Sequence, residues 1–378
     1  MKINFISNLN PTNTSGGWGG INHNIFRQLQ RSYDTNYIGP VNPPFKLHER
    51  YVSKALRLLG RRGKFAFFSN SRLEKISRIT EQNIKNADTG HLNFYFGQTP
   101  WIKCNSMLPY VCYLDADFLT YLEVFSTPSQ FQKRDIERIA KLESEWLQKA
   151  TIIFYGSNWA KDLTQKHYGL PDDKIKNIVV NTGGHMSIPA YDAYDHYSNG
   201  IKLLFISLNF EKKGGIETWK SFKLLKEDFP DAQLSIIGQS PPAEVLGTPG
   251  VNYLGLMNKN VPQEYRLMEK ELSKATFLVH PTKMDTMGAV IVEAGYFGCP
   301  TIAPKLFGIP DLIRNQETGF LLPENFTEKD IVGAIKSGLR HLEGYFAMRK
   351  SCRKYVTEKF SWNAIGNQIN NSISTLKL

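Results

Sequence analysis

The feature that most constrains this chain is a recurrent alternation of short apolar runs, each of strand length, with helical or loop stretches between them. In the first half the runs are Lys2 to Ser7, His91 to Phe96, Tyr110 to Asp115, Thr151 to Ser157 and Lys176 to Val180. In the second half they are Lys202 to Leu208, Gln233 to Gly238, Val251 to Gly255, Thr276 to Pro281, Pro300 to Ala303 and Gly319 to Leu322. Several, such as LLFISL and TFLVH, are apolar without alternation, the pattern of strands covered on both faces and hence of parallel sheets sandwiched by helices. The spacing predicts two doubly wound α/β domains. With 378 residues and ~150 per domain as the usual measure, two cores are affordable in length. The stretch from Ser187 to Gly200 mixes Pro, Asp, Ser and Gly and is read as a linker. The division is then 1–186, a linker over 187–200, and 201–360. Ser361 is placed to cap a last helix over 361–378, whose return onto the first domain the sequence leaves open.

Charge narrows the partners. Lys plus Arg number 46 against 35 Asp plus Glu, a net charge of +11, and the excess is uneven. Between Lys46 and Lys85 stand eleven bases and three acids, so an anionic partner is expected there. Within that stretch the apolar positions Tyr51, Val52, Ala55, Leu56 and Leu59 share one helical face. Such a helix suits either an anionic membrane surface or packing on the first domain. Nucleic acid is not expected as a partner.

Other classes are excluded by what the chain lacks. Four cysteines, Cys104, Cys112, Cys299 and Cys352, form no C-x-x-C pair, against a disulfide framework or a zinc ribbon. The histidines form no H-x-x-x-H or H-x-H group, so no metal site is expected. Neither G-x-S-x-G nor a P-loop is present. No run approaches the ~20 apolar residues of a membrane span, and the N-terminal run is too short for a signal sequence. A cytoplasmic protein, peripheral on the inner face of the membrane if the basic stretch binds there, is the expectation.

In open α/β sheets the loops after strands carry the chemistry. After the first strand, Ser15 to Gly20 holds four glycines before a helical pattern at Ile21, a cradle for an anion or a flexible loop. After LLFISL comes Lys212-Lys213-Gly214-Gly215, a lysine beside glycines at a helix start, suited to a phosphate. From Met287 to Phe297 every residue except Glu293 is apolar or glycine, which predicts a helix buried all round with one costly carboxylate inside. Asp285 precedes it by eight residues. Two acids so spaced can grip hydroxyls of an extended sugar-bearing molecule, and a structural salt bridge is the alternative for Glu293. Asp115 and Asp117 end the strand at Tyr110, placed to orient or deprotonate a hydroxyl, with helix capping the competing role for Asp117.

These motifs resemble the family 4 retaining glycosyltransferases of the GT-B fold (glycosyl transferases group 1). The likeness rests on Lys213-Gly214, on the E-x7-E signature here written as Asp285 and Glu293, and on Gly298-Cys299-Pro300. Weaker echoes are Ser157-Asn158-Trp159, Gly19-Gly20, Gly308-Ile309-Pro310 and Phe360-Ser361-Trp362. The resemblance implies two Rossmann-like domains facing a central cleft, and a hexose-type sugar moved from a nucleoside diphosphate donor to a saccharide or lipid-linked acceptor. Retention and no metal or other cofactor are implied with it. By matching position Lys213 holds the donor diphosphate, Asp285 contacts the transferred sugar and Glu293 the ribose, with the backbone of Thr286, Met287 and Gly288 beside the phosphates. Gly19 and Gly20 fall near the donor phosphate and the acceptor, and Asp115 near the anomeric centre. Two departures stand out: Asp285 is one methylene shorter than the family's Glu, and Ser207-Leu208 replaces a common Gly-Arg whose arginine is a second phosphate clamp. Either Lys212 or another base compensates, or the donor complex is weaker, or activity is lost. The alternatives are a nucleotide-sugar epimerase or hydrolase of the same fold, and an inactive basic protein that binds membrane or nucleic acid.

Overall fold

A computed structural model describes residues 1–12, 14, 17–87, 89–190 and 200–376. The chain divides into two compact units, one of Met1–Thr182 with Ile365–Leu378, the other of Gly183–Ala364. Of the linker read at 187–200, residues 191–199 lie outside the described residues, as do Ser15 and Gly16 of the glycine loop.

The first unit contains strands β1 (Lys2–Ile6), β2 (Asp34–Ile38), β3 (Leu92–Phe96), β4 (Tyr110–Leu114), β5 (Ile152–Tyr155) and β6 (Asn177–Val179). Its helices are α1 (Gly17–Gln30), α2 (Leu47–Leu58), α3 (Asn70–Asn86), α4 (Phe118–Phe125), α5 (Lys133–Lys149) and α6 (Asn158–Tyr168). The six strands pair in parallel in the order β2-β1-β3-β4-β5-β6. β3 and β4 are buried at every position, as the unbroken apolar sequence of β4 predicts, while β3 also buries Asn93, whose side-chain oxygen accepts from the Asn4 side chain at 2.9 Å. β2 is the strand that sequence patterning misses: DTNYI has no apolar run, because it sits on the sheet edge with its first four residues partly or fully exposed.

The second unit holds β7 (Lys202–Ser207), β8 (Gln233–Gly238), β9 (Val251–Tyr253), β10 (Phe277–Val279), β11 (Thr301–Pro304) and β12 (Gly319–Leu322). Around them lie α7 (Gly215–Asp228), α8 (Ala243–Leu246), α9 (Pro262–Lys274), α10 (Ala289–Tyr296), α11 (Ile309–Leu312), α12 (Glu328–Leu339) and α13 (Leu342–Phe360). The parallel order is β12-β11-β10-β7-β8-β9. Two doubly wound sheets, as expected from the apolar runs, are therefore present. Apolar clusters fill both sides of the second sheet, one around Phe222, Leu234 and Ile335, the other around Leu272, Val292 and Phe297.

The chain ends in α14 (Trp362–Ser374), whose start is capped by the Ser361 hydroxyl accepting from the Ala364 amide at 3.2 Å. From Ile365 onward this helix belongs to the first unit. Asn370 donates to the Gln28 carbonyl at 3.1 Å and to the Ser32 hydroxyl at 2.9 Å, and its own carbonyl accepts from Tyr33 at 2.9 Å.

Candidate active site

In the second sheet β8 and β9 lie on one side of β7, while β10, β11 and β12 lie on the other. β7 and β10 are thus the neighbours at which the strand order reverses. Loops leaving the carboxyl ends of such a pair diverge and form the ligand crevice of open α/β sheets. The loop after β7 carries Lys213 into α7, and the loop after β10 carries Asp285 into α10. Gly214 adopts a left-handed φ of +84°, and a Cβ there would fall 2.2 Å from the Pro281 carbonyl oxygen. Only glycine lets the two loops approach this closely. Both helices begin on a left-handed glycine, Gly214 or Gly288, which has no side chain to cap the start.

The approach brings Lys213 Nζ to 2.7 Å from Asp285 Oδ2. His280 Nε2, from the end of β10, lies 3.1 Å from the same oxygen. The other oxygen, Oδ1, accepts from the amides of Gly288 at 3.1 Å and Met287 at 3.4 Å. Burial pushes the Asp285 carboxyl up, but the His280 hydrogen bond and the Lys213 charge outweigh it and hold the group well below the ordinary carboxylate range. Asp285 is therefore ionised and fixed at both oxygens. The Met287 and Gly288 amides serve it, while Thr286 is buried and its carbonyl accepts from Gly308 at 3.1 Å.

The helix read over 287–297 is shorter than the apolar run. It starts at Ala289, because Met287 and Gly288 are held in the turn around Asp285. Glu293 sits two turns after Asp285 and is 2% exposed. Its Oε1 accepts from the His185 amide at 2.8 Å and pairs with the Lys259 ammonium. The structural salt bridge weighed against a ribose for Glu293 is thus present. Lys259 comes from the segment between β9 and α9, and its side chain keeps 29% of its exposure. Lys259, His185 and His280 are contacts that the motif reading missed. His280 carried a legible signal, since it ends the strand before Asp285, whereas Lys259 is one lysine among many in the sequence. Leu208 is exposed, and so is Lys212.

The remaining candidates belong to the first unit. Gly19 and Gly20 are not in a loop as expected: α1 starts at Gly17, so both lie buried in its opening turns, and the Gly20 carbonyl accepts from the Asn24 side chain at 2.8 Å. Trp18 fixes that start by packing on Phe96, ring centroids 4.3 Å apart. Asp115 follows β4 and is partly buried, near enough to Tyr113 to add to the rise that burial causes in its phenol pKa. Asp117 is fully buried and caps α4 through the Leu119 and Thr120 amides, with the His167 ring nitrogen 3.0 Å away. Capping accounts for it. Among the described residues no group of three or more His, Cys, Asp or Glu could hold a metal, and no helix is long and apolar enough to cross a membrane.

Residues 192–359 match the family model of the glycosyl transferases group 1. This segment belongs to that family. The match contains Lys213, Lys259, His280, Asp285 and Glu293, so the cluster lies inside the glycosyl transferase group 1 region. Sulfoquinovosyl transferase SQD2 of Arabidopsis thaliana is 32% identical over 169 residues, 42% of this chain and 31% of that protein. Lipopolysaccharide glucosyltransferase WaaG of Escherichia coli K12 is 22% identical over 209 residues, 51% of this chain and 54% of its own. The chain spans about half or less of the length of such relatives. Among solved structures, Anabaena Alr3699/HepE in complex with UDP superposes with a TM-score of 0.66 at 15% identity over 100% of both chains. The lipopolysaccharide outer core galactosyltransferase WaaB gives 0.67 at 16% identity, again over 100% of both. The fold outside the group 1 region is therefore shared with these GT-B proteins as well.

Proposed function

We propose that this protein is a glycosyltransferase that moves a hexose-type sugar from a nucleoside diphosphate sugar to an acceptor hydroxyl on a saccharide or lipid-linked molecule. One observation carries the reading: Lys213 and Asp285 meet at the strand-order reversal, beside two helices whose N-cap residue is a left-handed glycine with no side chain to cap the start. Departure of a nucleoside diphosphate develops negative charge, and a fixed cation with helix N-termini beside it stabilises that charge before the bond breaks.

In this reading Lys213 exchanges Asp285 for the donor diphosphate. Asp285, relieved of Lys213 on Oδ2 but still held there by His280 and on Oδ1 by two amides, accepts from hydroxyls of the transferred sugar through its remaining lone pairs. Because the Met287 and Gly288 amides are committed to Asp285, the phosphates are met chiefly by Lys213 and the opening turns of α7 and α10. Glu293 accepts from the ribose hydroxyls once Lys259, partly exposed, swings toward water. On the family resemblance alone, Asp115 is assigned to the acceptor hydroxyl, and Gly19 and Gly20 to the donor phosphate and acceptor. Retention of configuration and independence of metal are part of the proposal, on the resemblance of the Lys-Gly and Asp-x7-Glu motifs. UDP is the first nucleotide to try, since HepE is solved with UDP and with UDP-glucose.

The test is a thermal-shift screen against UDP, GDP and ADP and their sugars, followed by product analysis with the donor that binds. A glycoside with the donor's anomeric configuration, formed at full rate in the presence of EDTA, is expected. A free or epimerised sugar as the only product would overturn transfer, and no shift with any nucleotide would overturn the donor site itself.

A further inference from the structure

Helix α2 turns Ser53, Leu56 and Arg57 toward the body of its unit. Ser53 is its buried side chain among those described, and its hydroxyl donates to the Lys64 carbonyl at 2.6 Å. Arg57 lies against the body of the unit as well, its guanidinium 5.4 Å from the Phe131 ring. Most of the apolar side faces outward: Leu47, Tyr51, Ala55, Leu58 and Leu59 are exposed, with Leu58 at 79% and Leu59 at 74%, while Leu56 is only partly exposed. At 100° per residue the five exposed positions fall within about 120° of the helix circumference, a sector they share with the exposed His48. Arg50 and Lys54 run along one border of that stripe, and Arg61 and Arg62 continue the basic row just past the helix end. Beneath the helix lies a cavity of about 590 Å³, lined by Val52, Leu56, Ala66, Lys64 and Arg134 among others. A surface helix normally buries its apolar stripe and wets its polar face. This one leaves most of its apolar stripe in water.

We infer that α2 lies flat on an anionic phospholipid bilayer, with the leucines and Tyr51 in the headgroup–acyl boundary and the basic row on the lipid phosphates. The combination selects this partner. A nucleic acid would use the bases but gain nothing from two adjacent leucines held in water. A second copy of the chain would set the same basic row against itself across a shared interface. A bilayer surface takes both features at once, since apolar burial and attraction to anionic lipid add for an interfacial helix. The inference is independent of the donor site, because it uses none of its residues.

The full chain is sedimented with vesicles of phosphatidylglycerol and phosphatidylcholine, and with phosphatidylcholine alone. Binding to the mixed vesicles only is expected. Neutralising three exposed bases together, Lys54→Gln, Arg61→Gln and Arg62→Gln, should weaken it about 100-fold, at about fivefold per base. Leu58→Ser with Leu59→Ser should weaken it by more than about tenfold at any salt concentration. Both sets lie on the surface, and unchanged thermal midpoints would show that the fold is kept. Equal binding to both vesicle types, or equal sedimentation of parent and variants, overturns the inference. So does binding of duplex DNA or RNA that the base variants lose while vesicles are ignored, or a dimer that the leucine variant dissociates.

Discussion

Glu293→Gln isolates the proposed ribose contact. Glutamine keeps the shape of the side chain, and its carbonyl can still accept the His185 amide now bonded at 2.8 Å. What is lost is the charge, and with it the pairing to Lys259. Lys259 can move to water, so it is not stranded. The unit should lose about 1–2 kcal/mol, a charge-assisted bond exchanged for a neutral one, partly offset by no longer burying a carboxylate. For the nucleotide, a hydroxyl bonded to a carboxylate is worth about 1 to 1.5 kcal/mol more than the same bond to an amide. UDP binding should therefore weaken about tenfold. Calorimetric titration with UDP and with its 2′,3′-dideoxy analogue separates this loss from general damage. The analogue has no ribose hydroxyls to lose, so its affinity for the parent and the variant should agree. If both nucleotides lose affinity equally, Glu293 acts through the fold and does not touch the ribose.

Lys213→Ala removes the proposed diphosphate clamp. Turnover should fall by about 10²–10³-fold, the usual cost of a lost charge-stabilising group, while stability falls by only about 1 kcal/mol because the ion pair is partly exposed; turnover within threefold of the parent in a donor-consumption assay would refute the role. Lys259→Ala vacates a Glu293 oxygen that the ribose would otherwise have to win, so the rise in thermal midpoint on adding UDP should be larger than in the parent, although the variant without nucleotide melts lower. A smaller rise would mean that Lys259 itself binds the nucleotide. In the first unit, burial and then the Asp117 charge push the Glu143 carboxyl up to about 7, against hydrogen bonds from Thr99, Tyr168 and the Phe118 amide. The folded state holds this proton more tightly than the unfolded chain, so the group's contribution is full below about pH 4.5 and is lost as the pH rises through 7, on the order of 3 kcal/mol at most. Glu143→Gln should flatten that part of the stability–pH curve measured by denaturant titration; an unchanged slope would place the titration elsewhere.

Much of the fold was legible because parallel strands buried on both faces write themselves as largely apolar runs, and the centres of β4, β7 and β10 all obey this. The Ser361 cap was legible for the same local reason. β2 was not, since an edge strand has no need of an apolar face. The spacing of Asp285 and Glu293 could also be read directly, because it is set within one loop and helix.

Contacts between distant segments belong to the tertiary structure. Lys259 reaches Glu293 across 34 residues, and Lys213 reaches Asp285 because the strand order reverses between β7 and β10. Likewise the sequence wrote an amphipathic pattern into α2, but an amphipathic helix has two faces and only packing chooses which one goes inward. Periodicity is a property of neighbours along the chain; pairing and facing depend on where the rest of the chain has gone.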